Sequence, residues 1–149
     1  MTWALAVAIM QLEAIQTMNP IRVLIVDDQP AFRRQLRQLL TQAGLIVVGE
    51  AGDMLEAKEL TRNLHPDLAV VDVSLPGETG VSGTPQLMML APKMRVILVS
   101  AYHDSAQVLQ KSAMEAGAEA FVPKDDLELE VVKKWAEKAD NETDELLVK

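Results

Sequence analysis

Five short apolar runs recur along the chain, at residues 21–26, 45–48, 68–71, 96–99 and 120–122. Polar groups follow them, reading Asp27-Asp28, Asp72, Ser100 and Lys124. The runs are rich in β-branched residues and do not alternate with polar ones. That pattern predicts strands buried on both faces, as in a parallel sheet covered by helices. Helical spacing fills the intervals. Phe32, Leu36, Leu39 and Leu40 share one face, opposite Arg33, Arg34 and Arg37, and Gly44 follows as a stop. Asp53 and Glu56 have capping-box spacing ahead of Ala57, Leu60 and Leu64. Ala106, Leu109, Ala113 and Ala116 make a face that ends at Gly117. Asp125 or Asp126 is placed to cap a last helix whose buried face would be Leu127, Val131, Trp135 and Ala139. The third helix of this series is irregular, because Gly83 and Pro85 sit where it should begin. The pattern starts it near Pro85, since proline is tolerated at the first helical position, and ends it before Pro92. Five β/α units result, an alternation that implies a parallel sheet with right-handed crossovers.

The segment ahead of the first strand stands apart. Residues 3–10 are apolar, too few to span a bilayer, which takes about 20 residues. No Lys or Arg occurs before Arg22, so the basic start of a secretory signal is missing. Residues 1–19 therefore read either as an extra helix or as sequence upstream of a start at Met18. Residues 20–139 read as one domain and 140–149 as an acidic tail.

Composition narrows the function classes. The chain has 149 residues, 49% hydrophobic and 24% charged, enough for one domain with a substantial core. A net charge of −8 argues against direct nucleic-acid binding, which leaves a basic footprint. The absence of Cys excludes disulfides, thiolate metal sites and cysteine nucleophiles, and fits a cytoplasmic setting.

Open parallel sheets gather their chemistry at the carboxyl ends of strands, where the polar groups above all fall. Asp27-Asp28 repel each other unless a cation compensates them, and hard oxygen ligands suit Mg²⁺. The same pair could equally serve as acids at a helix N-terminus. Asp72 can act as a nucleophile toward a phosphoryl group, or can simply open the turn that contains Pro76-Gly77. Ser100 can donate to a phosphoryl oxygen and Lys124 can stabilise its charge; each alone is more often structural. What the structural readings do not require is all these groups at one sheet edge. No Walker loop, G-x-S-x-G elbow, G-x-G-x-x-G fingerprint or helical zinc motif occurs, and His65 and His103 are isolated.

At this point the chain resembles the receiver domain of two-component response regulators over about residues 20–139. The matching stretches are Val23-Leu24-Ile25-Val26-Asp27-Asp28, Pro66-Asp67-Leu68-Ala69-Val70-Val71-Asp72, Leu75-Pro76 with Gly80, Val99-Ser100-Ala101, and Ala116-Gly117-Ala118 leading to Phe121-Val122-Pro123-Lys124. Asp27 lies 45 residues before Asp72; Ser100 and Lys124 lie 28 and 52 after it. The ordered set is far more specific than any one motif.

The resemblance implies a flavodoxin-like, doubly wound α/β fold with strand order 2-1-3-4-5. It implies that Asp72 accepts a phosphoryl group from a sensor histidine kinase or phosphotransfer protein. Asp28, Asp72 and the backbone carbonyl of Ser74 would bind Mg²⁺, with Asp27 acting mainly through water. Ser100 and Lys124 would ligate the phosphoryl oxygens, and Phe121 would turn inward as Ser100 moves. The face made by the domain's fourth helix, fifth strand and fifth helix would then meet a downstream target protein, or a second phosphorylated copy. Ser74 and Tyr102, each two residues after a site residue, would flank the path of the attacking water and tune lifetime. One departure from the family pattern is Asp125, where many relatives carry proline after the lysine. Two other classes compete. One is a phosphorylation-independent interaction module, which would be free to lose Asp72 or Lys124. The other is a Mg²⁺-dependent phosphohydrolase, which would want an acid where Ser74 stands. A helix-turn-helix output module would need more than the 25 residues after Lys124. The expectation is thus a receiver that is no enzyme toward external substrates.

Overall fold

A strand that is apolar at every position has no face to offer water, and the fold answers by covering both sides of one sheet. The computed structural model describes residues 2–101 and 106–137. Side chains 11–18 and 106 lie outside that description, as do Tyr102, His103, Ala139 and the acidic segment 140–149. Helix α1 (Trp3–Met18) precedes the domain, with Thr2 as its cap. Strands β1 (Arg22–Val26), β2 (Ile46–Ala51), β3 (Leu68–Asp72), β4 (Arg95–Ser100) and β5 (Ala120–Pro123) follow. They run parallel in the order β2-β1-β3-β4-β5, the flavodoxin-like order.

Side chains alternate across the sheet. Leu24, Val26, Ala69, Val71, Val96 and Leu98 point into one apolar layer, and Val23, Ile25, Leu68, Val70, Ile97 and Val99 into the other. Helices α3 (Met54–Leu64), α4 (Gly80–Leu90) and α5 (Ala106–Ala116) cover the first layer through Met54, Ala57, Leu87 and Ala113. Helices α2 (Pro30–Gln42) and α6 (129–137) cover the second through Leu36, Leu40, Val132 and Trp135. Helix α1 exposes its Trp3, Leu5, Ile9 and Met10. No helix among the described residues is long and apolar enough to cross a membrane.

Three local expectations need correction. Helix α4 begins at Gly80, not near Pro85, because the Thr79 hydroxyl accepts from the Ser82 amide (3.1 Å) and caps it there. Its glycines are packing requirements rather than breakers. A Cβ at Gly80 would stand 2.2 Å from the Asp72 carbonyl oxygen, and one at Gly83 2.3 Å from the Met54 methyl. Pro85 is interior, so the helix lacks the bond that residue would have donated. The second correction concerns the last helix. Asp125 and Asp126 lie in a single 3-10 turn, Lys124–Asp126, which is the form the departure after Lys124 takes. Helix α6 starts beyond that turn; Leu127 and Trp135 are buried as expected, while Val132 is fully buried and Val131 only partly so. The third is β2, which runs on to Ala51. A bulge between Val23 and Leu24 lets Ile25 and Val26 pair with Glu50 and Ala51, carrying β2 to the site end of the sheet.

Candidate functional site

Asp27 is the first residue past β1. Its amide donates to the Ala51 carbonyl (2.9 Å), and its Oδ1 accepts from the Gln29 amide (2.8 Å). That local bond bends the chain into α2, whose first residue is Pro30. Asp27 is fully buried, whereas Asp28 faces solvent. Asp72 ends β3 and is 4% exposed. Its Oδ1 accepts from the Ser74 amide (3.0 Å), and the next residue, Val73, donates to the Val99 carbonyl (2.9 Å). Carboxylate oxygens of Asp27, Asp28 and Asp72 lie within 4.8 Å of one another.

Lys124, just past β5, reaches into this cluster. Its Nζ is 2.6 Å from Asp27 Oδ2 and 3.4 Å from Asp72 Oδ2. It also sits 4.1 Å from the centre of the Phe32 ring, a cation–π distance. The Asp27 contact is an ion pair without a well-aligned hydrogen bond, so that buried oxygen retains acceptor capacity. Burial pushes the Asp72 carboxyl above the ordinary carboxylate range, and the Asp27 charge adds to the rise. The Ser74 amide and the Lys124 charge offset this only in part.

Ser100 is buried at the end of β4, in register with Pro123 and next to the β3 end that carries Asp72. By the period of two, Ser100 faces the same side of the sheet as Leu98, and Phe121 on β5, half-buried there, packs on that side too. The structure thus brings Asp27, Asp28, Asp72, Ser74, Ser100 and Lys124 to one sheet edge. Tyr102 falls outside the described residues.

Two participants escape the sequence pattern. Phe32 packs against the core on the α2 side, as its spacing implies, but its ring also backs Lys124, which no spacing announces. Arg33 was expected to face solvent, yet its Nη1 donates to the Asp27 carbonyl (2.6 Å) and its Nε to Glu50 Oε1 (3.0 Å). Only the closeness of the β2 end reveals that role. Helical spacing says which residues share a face, not which neighbour an adjacent strand supplies.

Among the described residues, the three carboxylates meet a single ammonium. Two negative charges are left over, the amount one divalent cation carries, and every donor is a hard oxygen. The residues present therefore fit Mg²⁺.

Comparison with known proteins agrees with this geometry. The response regulator receiver domain, as a family, matches residues 23–135. The chain is 37% identical over 103 residues to the chemotaxis protein CheY of Thermotoga maritima, covering 69% of this chain and 84% of that protein. It is 41% identical over 107 residues to a protein-glutamate methylesterase/protein-glutamine glutaminase of Myxococcus xanthus, covering 71% of this chain but 30% of that protein. Among solved structures, it matches a chain of the CheX-CheY-BeF3-Mg²⁺ complex of Borrelia burgdorferi with a TM-score of 0.72 and 29% identity, over 80% of this chain and 89% of that one. On the family match and the fold it shares with these proteins, this chain belongs to the response regulator receiver family of two-component signalling.

Proposed function

We propose that this receiver is a phosphorylation switch. It takes a phosphoryl group on Asp72 from a histidine kinase or phosphotransfer protein, in a Mg²⁺-dependent reaction. The observation that carries the reading is the charge of the site among the described residues: three carboxylates against Lys124, with a surplus of two negative charges around the buried Asp72 at the end of β3. Receiver domains of the CheY kind are in general signalling modules rather than enzymes, and the methylesterase relative aligns with this chain over only part of its own length.

In the proposed transfer, an oxygen of Asp72 attacks the phosphorus of a phosphohistidine. The new O–P bond forms as the P–N bond breaks, and the imidazole leaves with the electron pair and takes a proton from solvent. Asp27, Asp28, Asp72 and the Ser74 carbonyl would hold Mg²⁺, which supplies charge neutralisation for the oxygens around phosphorus. Lys124 is already within reach of Asp72 and would shift from Asp27 toward a phosphoryl oxygen. The Ser100 hydroxyl would close on another, and Phe121, on the same side of the sheet, would move into the space Ser100 leaves. The face of α5, β5 and α6 (the domain's fourth helix, fifth strand and fifth helix) would then change shape for a downstream partner protein or a second phosphorylated copy.

The test is intact mass after incubation with Mg²⁺ and acetyl phosphate. One phosphoryl group should add to the wild type and be lost in EDTA and in Asp72→Asn. No gain in a protein that binds Mg²⁺ would overturn the switch and favour a phosphorylation-independent module. A companion expectation concerns lifetime. From their spacing after Asp72 and Ser100, Ser74 and Tyr102 would flank the route of the hydrolytic water, so Tyr102→Ala should speed dephosphorylation several-fold, and an unchanged rate would remove Tyr102 from that role.

A further inference from the structure

Arg33 belongs to none of the groups assigned above, yet it grips the backbone of the site. Its Nη1 donates to the Asp27 carbonyl at 2.6 Å while its Nε donates to Glu50 Oε1 at 3.0 Å. Glu50 is itself held from the far side by Arg37, whose Nε donates to Oε2 at 3.0 Å. The Asp27 amide donates to the carbonyl of Ala51, the residue after Glu50. Both backbone groups of Asp27 are therefore tied to the end of β2, one directly and one through Arg33. The tie exists because the bulge in β1–β2 pairing carries Glu50 level with Ile25.

What this fixes is the peptide between Asp27 and Asp28. Asp28 is exposed, and among the described residues none hydrogen-bonds its carboxylate. Its position relative to Asp27 and Asp72 rests on the backbone that carries it. Mg²⁺ demands near-ideal octahedral geometry, so a carboxylate that wanders is a poor ligand. We propose that Arg33, braced by Glu50, is a positioning residue for the Mg²⁺ loop: it locks the Asp27–Asp28 peptide so that the Asp28 carboxylate joins those of Asp27 and Asp72. This inference rests on reading the cluster as a Mg²⁺ site.

The sign of the effect separates positioning from plain electrostatics. A guanidinium this near the cluster repels a dication, so if charge were its only influence, removing it would tighten Mg²⁺ binding. Positioning demands the reverse. Groups that orient metal ligands from outside are worth about 10–100-fold in metal affinity.

The experiment is calorimetric titration of the full chain with MgCl₂, beside thermal unfolding of each variant in EDTA. Arg33→Ala should weaken Mg²⁺ binding at least tenfold. Arg33→Lys keeps the charge but cannot span both acceptors, and should fall between Arg33→Ala and the wild type. Glu50→Gln, which loosens the brace, should weaken binding several-fold. Asp28→Asn, which removes a ligand, should lose most of it. Arg33→Ala binding as tightly as the wild type or tighter, while Asp28→Asn fails, overturns the positioning role and leaves the metal site standing. A wild type that binds no Mg²⁺ overturns both. If Arg33→Ala does not fold, Arg33→Lys and Glu50→Gln decide: unchanged affinity in the two overturns the proposal.

Discussion

The two ends of the sheet handle charge in opposite ways. At the amino ends of the strands, Arg22 and Arg95 face Asp67 and Glu119. The Arg22 guanidinium donates to the Leu64 and His65 carbonyls (2.7 and 2.9 Å), closing α3 where His65 turns left-handed at φ 48°. Asp67 accepts from the Arg22 amide at 2.9 Å, and Arg95 grips Glu119 through two nitrogens at 2.8 and 2.7 Å. Two positive and two negative side chains share this edge, Arg95 and Glu119 as an ion pair and Arg22 and Asp67 on backbone groups, and nearly every group is spent on holding chain segments together. At the carboxyl ends, among the described residues, Glu50 is balanced by Arg33 and Arg37, but the cluster beside them sets three carboxylates against one lysine, and the nucleophile candidate is pushed toward its protonated form. One fold supplies both edges, so burial alone does not make a site. The difference is an unbalanced charge that a cation and a phosphoryl group would relieve.

Shape is the most severe way to break the contrast. In Gly80→Ala a new Cβ must occupy a point 2.2 Å from the Asp72 carbonyl oxygen, and backbone cannot step aside as a side-chain tip can. The expected cost is about 3 kcal/mol, the upper end of ordinary overpacking, read in urea titration. A loss below about 1 kcal/mol would mean that α4 is free to slide away from β3. Next in size is the opposite edge. Arg95→Ala removes the bidentate partner of a carboxylate that is only 15% exposed. The expected loss is about 2 kcal/mol, below the roughly 3–5 kcal/mol of a wholly buried pair. It should be the same with Mg²⁺ as with EDTA, since that edge is built for stability alone. A Mg²⁺-dependent loss would break the division between the two ends.

The division was largely readable in the sequence, for a specific reason. Residues 23–26 and 68–71 are apolar at every position, so both strands and their ends announce themselves, and the polar residues that follow can only cluster there. Helix α4 was less readable because Gly80, Gly83 and Pro85 look like breakers. The need for Gly80 comes from Asp72, and the need for Gly83 from Met54 on a different helix, neither of which is a local property. Arg33 hid for the same reason: its partners, Asp27 and Glu50, lie on two different strand ends. Local periodicity fixed where elements lie, and tertiary approach decided which of their residues matter.

The smallest expected effect has the most telling sign. Burial raises the folded-state pKa of Asp72 above its unfolded value, so the folded protein keeps that proton to higher pH. The stability linked to it is full below the ordinary carboxylate range and is lost as pH rises through the raised value. Metal-free wild type at neutral pH thus lacks stability that it has in acid, because its carboxyl is desolvated, and Asp72→Asn carries no such cost. In EDTA the variant should melt a few degrees higher at pH 7, and the gain should fade below about pH 4, near the unperturbed carboxylate pKa. Glu50 provides the internal contrast. Burial raises its pKa, but Arg37 and Arg33 outweigh that and hold it below the ordinary value, so its contribution is present above that range and lost as pH falls. The acid side of the profile should therefore survive in Asp72→Asn and flatten in Glu50→Gln. Added Mg²⁺ should stabilise the wild type by mass action and close the gap to Asp72→Asn. If Asp72→Asn instead melts lower than wild type in EDTA at pH 7, Lys124 already balances the site, and the surplus of negative charge is no longer what distinguishes this edge from the other.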